Sequence, residues 1–238
     1  MLKMVNYNLK DHAEEFQKNK PYPYISLDNF FNEEIINKIY EEFPDETSDL
    51  FNWKSNDQNS KKLMCQDPVR IAQELPNIDR FIKYLNSDDF LDQISELTGI
   101  PNLIGDNNLA GGGLHQITNG GFLNVHADFN ISDKLPDLNR RLNIIIYLSK
   151  DWKEEYNGQL ELWDTALTEA KKSIYPKFNR IVLFNTQPEG DVIAYHGHPI
   201  PLNTPKGVNR KSIALYYYTK EKPNNVLAGK HKTIYKKV

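Results

Sequence analysis

The sequence predicts a mainly β protein preceded by a helical region, and three observations support this fold class. The first hundred residues carry apolar side chains at helical spacing. From about Leu103 this spacing ends and short β-type segments follow. Turn residues separate these segments at close intervals, which predicts a sandwich, a barrel or a jelly roll.

Three helical regions are predicted before residue 102. In the first, Asp28 to Phe43, the apolar residues lie on one stripe with the 3.6-residue period of an amphipathic helix. Asn32 is a suitable N-cap because its side-chain oxygen can accept a hydrogen bond from the first turn, and Pro44 ends the helix. The second region runs from about Val69 to Leu85 and the third from about Ser87 to Leu97.

Seven strands are predicted after residue 103. A glycine-containing turn at residues 119–121 predicts a hairpin between the first two strands. The lysine-rich tail that follows the last strand is expected to be solvated and partly mobile. The predicted strands are residues 113–118, 122–126, 141–148, 159–163, 180–184, 192–195 and 210–219.

Composition, charge and cysteine content narrow the function classes. The 238 residues are 39% hydrophobic and 26% charged, as in ordinary globular proteins, and this length suits a single domain. The net charge of -3 argues against a nucleic-acid partner held mainly through its phosphates. The single cysteine excludes an intramolecular disulfide and a multi-thiolate zinc site. No signal peptide and no apolar run near ~20 residues is found, so we expect a cytoplasmic protein without a membrane partner.

A His-x-Asp pair at the end of a predicted strand is the first candidate for metal binding. His126 and Asp128 are two residues apart, so in a strand they project from the same face, about 6.5–7 Å apart along the backbone. An imidazole and a carboxylate in these positions can bind one metal ion. The pair alone is weak evidence, because a sequence with six histidines often contains one by chance.

Later residues complete a set that is typical of ferrous iron. Two histidines and one carboxylate on one face leave coordination positions open on Fe(II), which can hold a bidentate oxo-acid and dioxygen. His196 and His198 are both candidates for the second histidine, and the preceding predicted strand leads into His196. An oxo-acid with a distal carboxylate also requires a buried cation. Arg210 is the candidate, and Ser212 shares its strand face.

Taken in order, these motifs resemble the prolyl-hydroxylase-like branch of the iron(II)/2-oxoglutarate-dependent dioxygenases. The resemblance covers about residues 103–220. It implies a double-stranded β-helix, a jelly roll of the cupin-like type, within a single domain of residues 1–238. Residues 1–102 would be mainly helical support, and residues 221–238 a tail. The matching segments are residues 126–128, 141–152, 157–163, 179–184, 196–197 and 210–218.

The resemblance also implies roles for individual residues. The implied metal ligands are His126, Asp128 and His196. The residues implied to bind 2-oxoglutarate are Arg210, Tyr147, Ser212 and Gln116. The residues implied to line the substrate cavity are Asn124, Ile145, Leu160, His198 and Tyr216. Fe(II) and dioxygen would be required with 2-oxoglutarate as cosubstrate, and ascorbate is a candidate reductant.

The activity implied by the resemblance is hydroxylation of a substrate C–H bond, coupled to decarboxylation of 2-oxoglutarate to succinate. Asp128 argues for hydroxylation, or a related desaturation or demethylation, because halogenating relatives lack this carboxylate. Two alternatives are a non-catalytic metal-binding jelly-roll module and a zinc hydrolase with the same ligands. In a zinc hydrolase Arg210 and Ser212 would have no evident task. Peptidyl proline, free amino acids and small metabolites all remain open as the primary substrate.

Overall fold

A computed structural model describes residues 3–238 and contains five α-helices and twelve strands within that range. The helices are α1 (Ala13–Lys18), α2 (Glu33–Glu42), α3 (Pro68–Glu74), α4 (Pro76–Leu85) and α5 (Asp88–Thr98). The strands are β1 (Tyr24–Leu27), β2 (Trp53–Asn56), β3 (Ser60–Cys65), β4 (Gly113–Ile117), β5 (Phe122–Ala127), β6 (Asn139–Tyr147), β7 (Leu160–Trp163), β8 (Ala170–Ile174), β9 (Arg180–Asn185), β10 (His196–His198), β11 (Arg210–Thr219) and β12 (Ile234–Tyr235). No helix in the described range is long and apolar enough to span a bilayer.

The strands form one antiparallel sheet that curls over on itself. The hydrogen-bonded order is β1-β9-β6-β11-β4-β3-β5-β10-β7-β8, with β2 added to β3 and β12 added to β5. β3 joins the two halves because it pairs with both β4 and β5. Side chains from both halves line a common cavity, which is the arrangement of a jelly roll. The mainly β prediction with N-terminal helices is confirmed.

The helices pack on the outer face of the first half of the sheet. Buried apolar residues of α2, α4 and α5 join those of β4, β6, β9 and β11 in one core cluster. In β6, for example, Ile144 and Ile146 face the helices, whereas Ile145 faces the cavity. This alternation is the period of two that a strand imposes on its side chains. The helical layer therefore supports the sheet from outside and leaves its inner face for the site.

The helical predictions hold with one correction. Asn32 caps α2, and its side-chain oxygen accepts hydrogen bonds from the backbone of the first turn. The helix predicted from Val69 to Leu85 is two helices that meet at Leu75. The backbone of Leu75 lies at φ -129° and ψ 65°, outside the helical region, because a residue before proline is disfavoured in that region. Pro76 then begins α4.

Several strands lie outside the predicted positions. Strands β1, β2 and β3 fall within the region predicted to be mainly helical, and β8 falls between predicted strands. β3 and β8 include lysines on part of their surface, so neither has a clear apolar period. The strand predicted at residues 192–195 is irregular, and β10 begins at the next residue, His196.

The tail belongs to the fold, in contrast to the solvated and partly mobile terminus expected. Ile234 pairs with Ala127, and Tyr235 pairs with His126, so β12 covers an edge of β5. Asn130 donates hydrogen bonds from its side chain to two carbonyls of the tail. An unpaired strand edge is a favourable place for another strand to add. The lysine-rich composition did not indicate this pairing, because backbone groups make it.

Candidate metal and cosubstrate site

Two neighbouring strands bring the candidate metal ligands together. His126 lies near the end of β5, and Asp128 follows the last residue of that strand. His196 begins β10 and lies directly opposite His126 in the antiparallel pairing of the two strands. Residues opposite each other across antiparallel strands have neighbouring side chains. The pairing therefore places the later histidine beside the His-x-Asp pair.

The three side chains form a compact set of ligands. The Asp128 carboxylate lies 3.4 Å from His126 Nε2 through Oδ1 and 3.3 Å from His196 Nε2 through Oδ2. The candidate ligand atoms all lie within 4.8 Å of one another. Each imidazole donates its Nδ1–H to a backbone carbonyl, at 2.8 Å for His126 and 3.0 Å for His196. These bonds leave both Nε2 atoms free to bind a metal. Two imidazoles and one carboxylate fit Fe(II).

Arg140 holds the carboxylate of this set in place. Its Nη2 donates to Asp128 Oδ2 at 2.7 Å, and its side chain is fully buried. The guanidinium lies 3.3 Å from the centroid of the Tyr216 ring and 4.8 Å from that of Phe129, so aromatic faces stabilise its charge. Burial alone would raise the pKa of Asp128, but the charge of Arg140 holds it well below its usual range. Asp128 is therefore ionised and oriented.

Arg210 is a second buried cation in the same cavity. It begins β11 and is 4% exposed. Its Nε donates to the carbonyl of Gly158 at 2.9 Å, and its Nη2 donates to the Tyr147 hydroxyl at 3.0 Å. Ser212 lies opposite Tyr147 in the pairing of β11 with β6, and its side chain lines the cavity. Together they present a guanidinium and two hydroxyls, which can all bind one carboxylate.

Most of the residues predicted for the site are brought together. The described cavity is lined by the three metal-ligand candidates with Arg210 and Ser212. It is also lined by four of the predicted substrate residues, Ile145, Leu160, His198 and Tyr216. Tyr147 reaches the site through its hydroxyl. His198 lies outside the triad, and His196 lies within it.

Asn124 is placed outside the cavity, and a β-bulge is the reason. His196 pairs with His126, but His198 pairs with Leu123, so β5 has one residue more than β10 between these pairs. Leu123 consequently faces the cavity. The side chain of Asn124 instead donates to the carbonyl of Gln58 at 2.8 Å. A period of two counted back from His126 could not reveal this shift.

Gln116 also lies outside the cavity. Its side chain is fully buried, and its two amide atoms make no hydrogen bond. The neighbouring His115 lines the cavity, opposite Ser212 in the pairing of β4 with β11. Successive residues of a strand point to opposite faces. His115 therefore occupies the position beside Ser212 that was predicted for Gln116.

Sequence reasoning missed four polar residues of the site. Lys62 and Asn143 line the cavity with His115, and Arg140 contacts Asp128 behind it. Arg140 was detectable, since an arginine entering a strongly apolar strand requires an acidic partner. Lys62 was not, because β3 has no apolar period that predicts a strand. Burial lowers the pKa of His115 and of His198 well below the usual value for histidine, so both are neutral at pH 7.

Comparisons with known proteins agree with this geometry. Residues 112–218 match the model of the 2OG-Fe(II) oxygenase superfamily. No curated protein matches the chain at a significant level. Among solved structures, a prolyl-4-hydroxylase from Pseudomonas putida has a TM-score of 0.57 at 15% identity, covering 89% of this chain and 98% of its own.

Two further structures have the same fold. A Trichoplax adhaerens prolyl hydroxylase, in complex with a hypoxia inducible factor peptide fragment, has a TM-score of 0.55 at 17% identity and covers 88% of this chain and 89% of its own. HygX from Streptomyces hygroscopicus, with nickel, 2-oxoglutarate and hygromycin B bound, has a TM-score of 0.57 at 11% identity and covers 95% and 96%. At these identities the likeness concerns the fold. The match over residues 112–218 identifies that part of the chain as a 2OG-Fe(II) oxygenase domain, and the protein is a 2-oxoglutarate-dependent oxygenase that uses Fe(II), 2-oxoglutarate and dioxygen.

Proposed function

We propose that this oxygenase is a hydroxylase in which His126, Asp128 and His196 hold Fe(II). Arg210, Tyr147 and Ser212 bind the distal carboxylate of 2-oxoglutarate. The observation that carries the proposal is the presence of the triad and a hydrogen-bonded, buried arginine in one cavity. A zinc hydrolase has no use for that arginine, whereas a dicarboxylic cosubstrate requires it.

Bound Fe(II) and 2-oxoglutarate would react with dioxygen, which supplies one oxygen atom to succinate as carbon dioxide leaves and the other to a substrate C–H bond that becomes an alcohol. The protein positions the groups. The Nδ1–H bonds of His126 and His196 fix the ring orientations, and Arg140 fixes one oxygen of Asp128. The carboxylate of Asp128 fills a position that halogenating relatives leave to a halide, which supports hydroxylation.

Arg210 and Tyr147 perform the equivalent task for the cosubstrate. The guanidinium is held by the Gly158 carbonyl and the Tyr147 hydroxyl before any ligand arrives. Preorganised donors lose little conformational entropy when a carboxylate binds. The apolar residues Ile145 and Leu160 line the same cavity and limit the access of water to the reacting groups.

The test has a binding arm and an activity arm. We expect 2-oxoglutarate to raise the thermal unfolding midpoint in the presence of Mn(II), and we expect succinate release with Fe(II) and oxygen once a substrate is supplied. Arg210→Met should raise the concentration of 2-oxoglutarate needed for half-maximal stabilisation by at least about tenfold, because a charge-assisted pair contributes about 1.5–3 kcal/mol.

Arg80→Met is the matched control, since Arg80 lies on α4 and is exposed. Arg210→Met must still be stabilised by Mn(II) alone, which shows that the fold is retained. The proposal would be contradicted if 2-oxoglutarate had no effect on the unfolding midpoint in the presence of Mn(II), and if Zn(II) stabilised the wild type equally with and without 2-oxoglutarate.

The primary substrate belongs to one of three classes: a peptidyl proline, a free amino acid or another small metabolite. The Trichoplax structure contains a peptide fragment and the HygX structure contains hygromycin B. Fold does not choose between these classes. Further information about the substrate comes from the cavity residues that are assigned neither to Fe(II) nor to 2-oxoglutarate.

A further inference from the structure

We infer that the primary substrate carries an anionic group, a carboxylate or a phosphate, that pairs with Lys62 inside the cavity. The inference rests on the proposed function, because it assigns the metal triad to Fe(II) and Arg210 to 2-oxoglutarate. It deepens that function by naming the charge of the substrate. It also gives a role to a lysine that neither of those groups employs.

Lys62 is part of the wall of the active-site cavity. It lies on β3, the strand that pairs with both β4 and β5, and its side chain lines the cavity together with Asp128 and Arg210. Across residues 3–238, its ammonium has neither an ion-pair partner nor a hydrogen bond. Its nearest aromatic contact is distant, at 5.7 Å from the centroid of the Trp53 ring. The fold therefore directs a cation into the cavity without supplying its partner.

The cavity carries more positive than negative charge once Fe(II) and 2-oxoglutarate are counted. Asp128 carries the only carboxylate among the described cavity-lining residues, and Arg140 pairs with it at 2.7 Å. The charges of Fe(II) and the 2-oxoglutarate dianion cancel. Arg210 and Lys62 then leave an excess of positive charge. Because uncompensated charge in a desolvated cavity is costly, an anionic substrate is favoured and a cationic one is disfavoured.

The ionisation of Lys62 is consistent with this position. Its pKa is lowered to about 8, mainly by burial; the carboxylate of Asp128 opposes this shift, and the charges of Arg210 and Arg140 contribute to it. The ammonium is mostly protonated at neutral pH. An anion bound beside it would favour the charged form and raise the pKa again.

Two neutral imidazoles add hydrogen-bonding groups to the same cavity. Nε2 of His115 and both ring nitrogens of His198 are buried and have no hydrogen-bond partner in the described chain. Buried polar atoms without partners are rare, and they indicate a ligand or ordered water. A neutral imidazole has one N–H donor and one acceptor nitrogen, so His198 can donate one hydrogen bond and His115, which donates to backbone carbonyls, presents an acceptor. The ammonium of Lys62 and the N–H of His198 can both donate to a group with several acceptor oxygens, such as a carboxylate or a phosphate.

The first test measures anion binding to the loaded protein without turnover. Protein saturated with Mn(II) and 2-oxoglutarate is titrated with acetate and with inorganic phosphate by calorimetry. We expect one of the two to bind the wild type, with a Kd at least tenfold higher in Lys62→Met and restored in Lys62→Arg. Lys61→Met is the matched control. Lys61 is the adjacent residue on β3, and its Nζ lies 3.5 Å from the carbonyl of Asn119, away from the cavity.

The second test identifies the source of the anion. Succinate release is measured with L-amino acids and their amides, and with sugar phosphates and the parent sugars. We expect stimulation by the anionic member of one pair only, and Lys62→Met should raise the KM for that compound at least tenfold while the KM for 2-oxoglutarate is unchanged. Stimulation by an amino acid but not its amide identifies a carboxylate as the anionic group, and stimulation by a sugar phosphate but not the parent sugar identifies a phosphate.

The outcomes separate this inference from the proposed function. Failure of 2-oxoglutarate to bind with Mn(II) contradicts the proposed function. If it binds, the inference is overturned when neither anion binds, when Lys62→Met binds an anion as tightly as the wild type, or when a neutral compound stimulates as strongly as its anionic pair.

Discussion

The two sides of the cavity differ in how completely the protein satisfies its own polar groups. On the metal side, Asp128 is hydrogen-bonded by Arg140, and the imidazoles of His126 and His196 are fixed by backbone carbonyls. On the ligand-receiving side, which Lys62 and His198 define, the ammonium and the ring nitrogens have no partner in the described range. The metal side is built to hold a fixed geometry, and the other side is built to receive a ligand.

The largest effect should come from a substitution that tests which histidine belongs to the metal side. His196→Ala removes a proposed ligand, and we expect loss of metal binding and of activity by more than about 100-fold, the upper range for residues that only orient ligands. His198→Ala should leave Mn(II) affinity within about threefold of the wild type, since its nitrogens lie outside the triad. Mn(II) binding followed by electron paramagnetic resonance distinguishes the two. Similar losses of Mn(II) affinity in both variants would contradict the assignment of His196, and not His198, to the metal side.

A second prediction concerns the support of the carboxylate. Arg140→Met removes the hydrogen bond to Asp128 and leaves the triad in place, so we expect Mn(II) affinity to fall by about 10- to 100-fold. Arg141→Met is the matched control. The neighbouring Arg141 donates to Thr219 at 3.3 Å and does not contact the site. Equal metal affinity in Arg140→Met and the wild type would show that Asp128 needs no such support.

The pH dependence of anion binding tests the ligand-receiving side. Lys62 has a pKa lowered to about 8, so its positive charge is present below that pH and is lost as the pH rises through it. We expect the Kd for the anionic probe to be constant below pH 7 and to rise by up to about tenfold per pH unit well above pH 8. Lys62→Arg should remove this dependence, because arginine stays charged.

The groups that face Lys62 do not titrate in this interval. Arg140 remains charged because Asp128 raises its pKa, Asp128 remains ionised because its pKa is well below its usual range, and His115 and His198 are neutral because burial lowers their pKa. A decrease in anion affinity between pH 7 and 10 that is the same in the wild type and in Lys62→Arg would therefore contradict the assignment to this lysine.

The difference between the metal side and the ligand-receiving side also explains which site residues could be predicted from the sequence. His126, Asp128, His196 and Arg210 stand in an ordered set of motifs, and the geometry brings them to one cavity. Helical support for a mainly β core followed from the change in apolar period. Lys62 could not be predicted, because its position depends on β3 pairing with strands that are distant in the sequence, and such pairing leaves no local pattern.

Errors of one residue have a physical cause as well. Asn124 was predicted for the cavity and Leu123 lies there, because the bulge in β5 inverts the faces of the strand on one side of it. Gln116 was predicted for the same cavity, and His115 lines it instead. A shift of one residue along a strand moves every side chain to the opposite face. Motifs therefore predict which strand carries a functional residue more reliably than they predict which face of that strand the residue occupies.

The smallest expected effect tests this bulge. Asn124→Ala removes only a hydrogen bond to the Gln58 carbonyl, so we expect it to lower the free energy of unfolding by about 0.5–1.5 kcal/mol and to leave Mn(II) and 2-oxoglutarate affinity unchanged. Leu123→Asn places an amide in the cavity and should weaken binding of the activating compound while metal affinity is retained. Denaturant titration and calorimetry measure these quantities. If Asn124→Ala impaired ligand binding and Leu123→Asn did not, Asn124 would face the cavity and β5 would be regular, because only an unbulged strand puts that residue on the same face as His126.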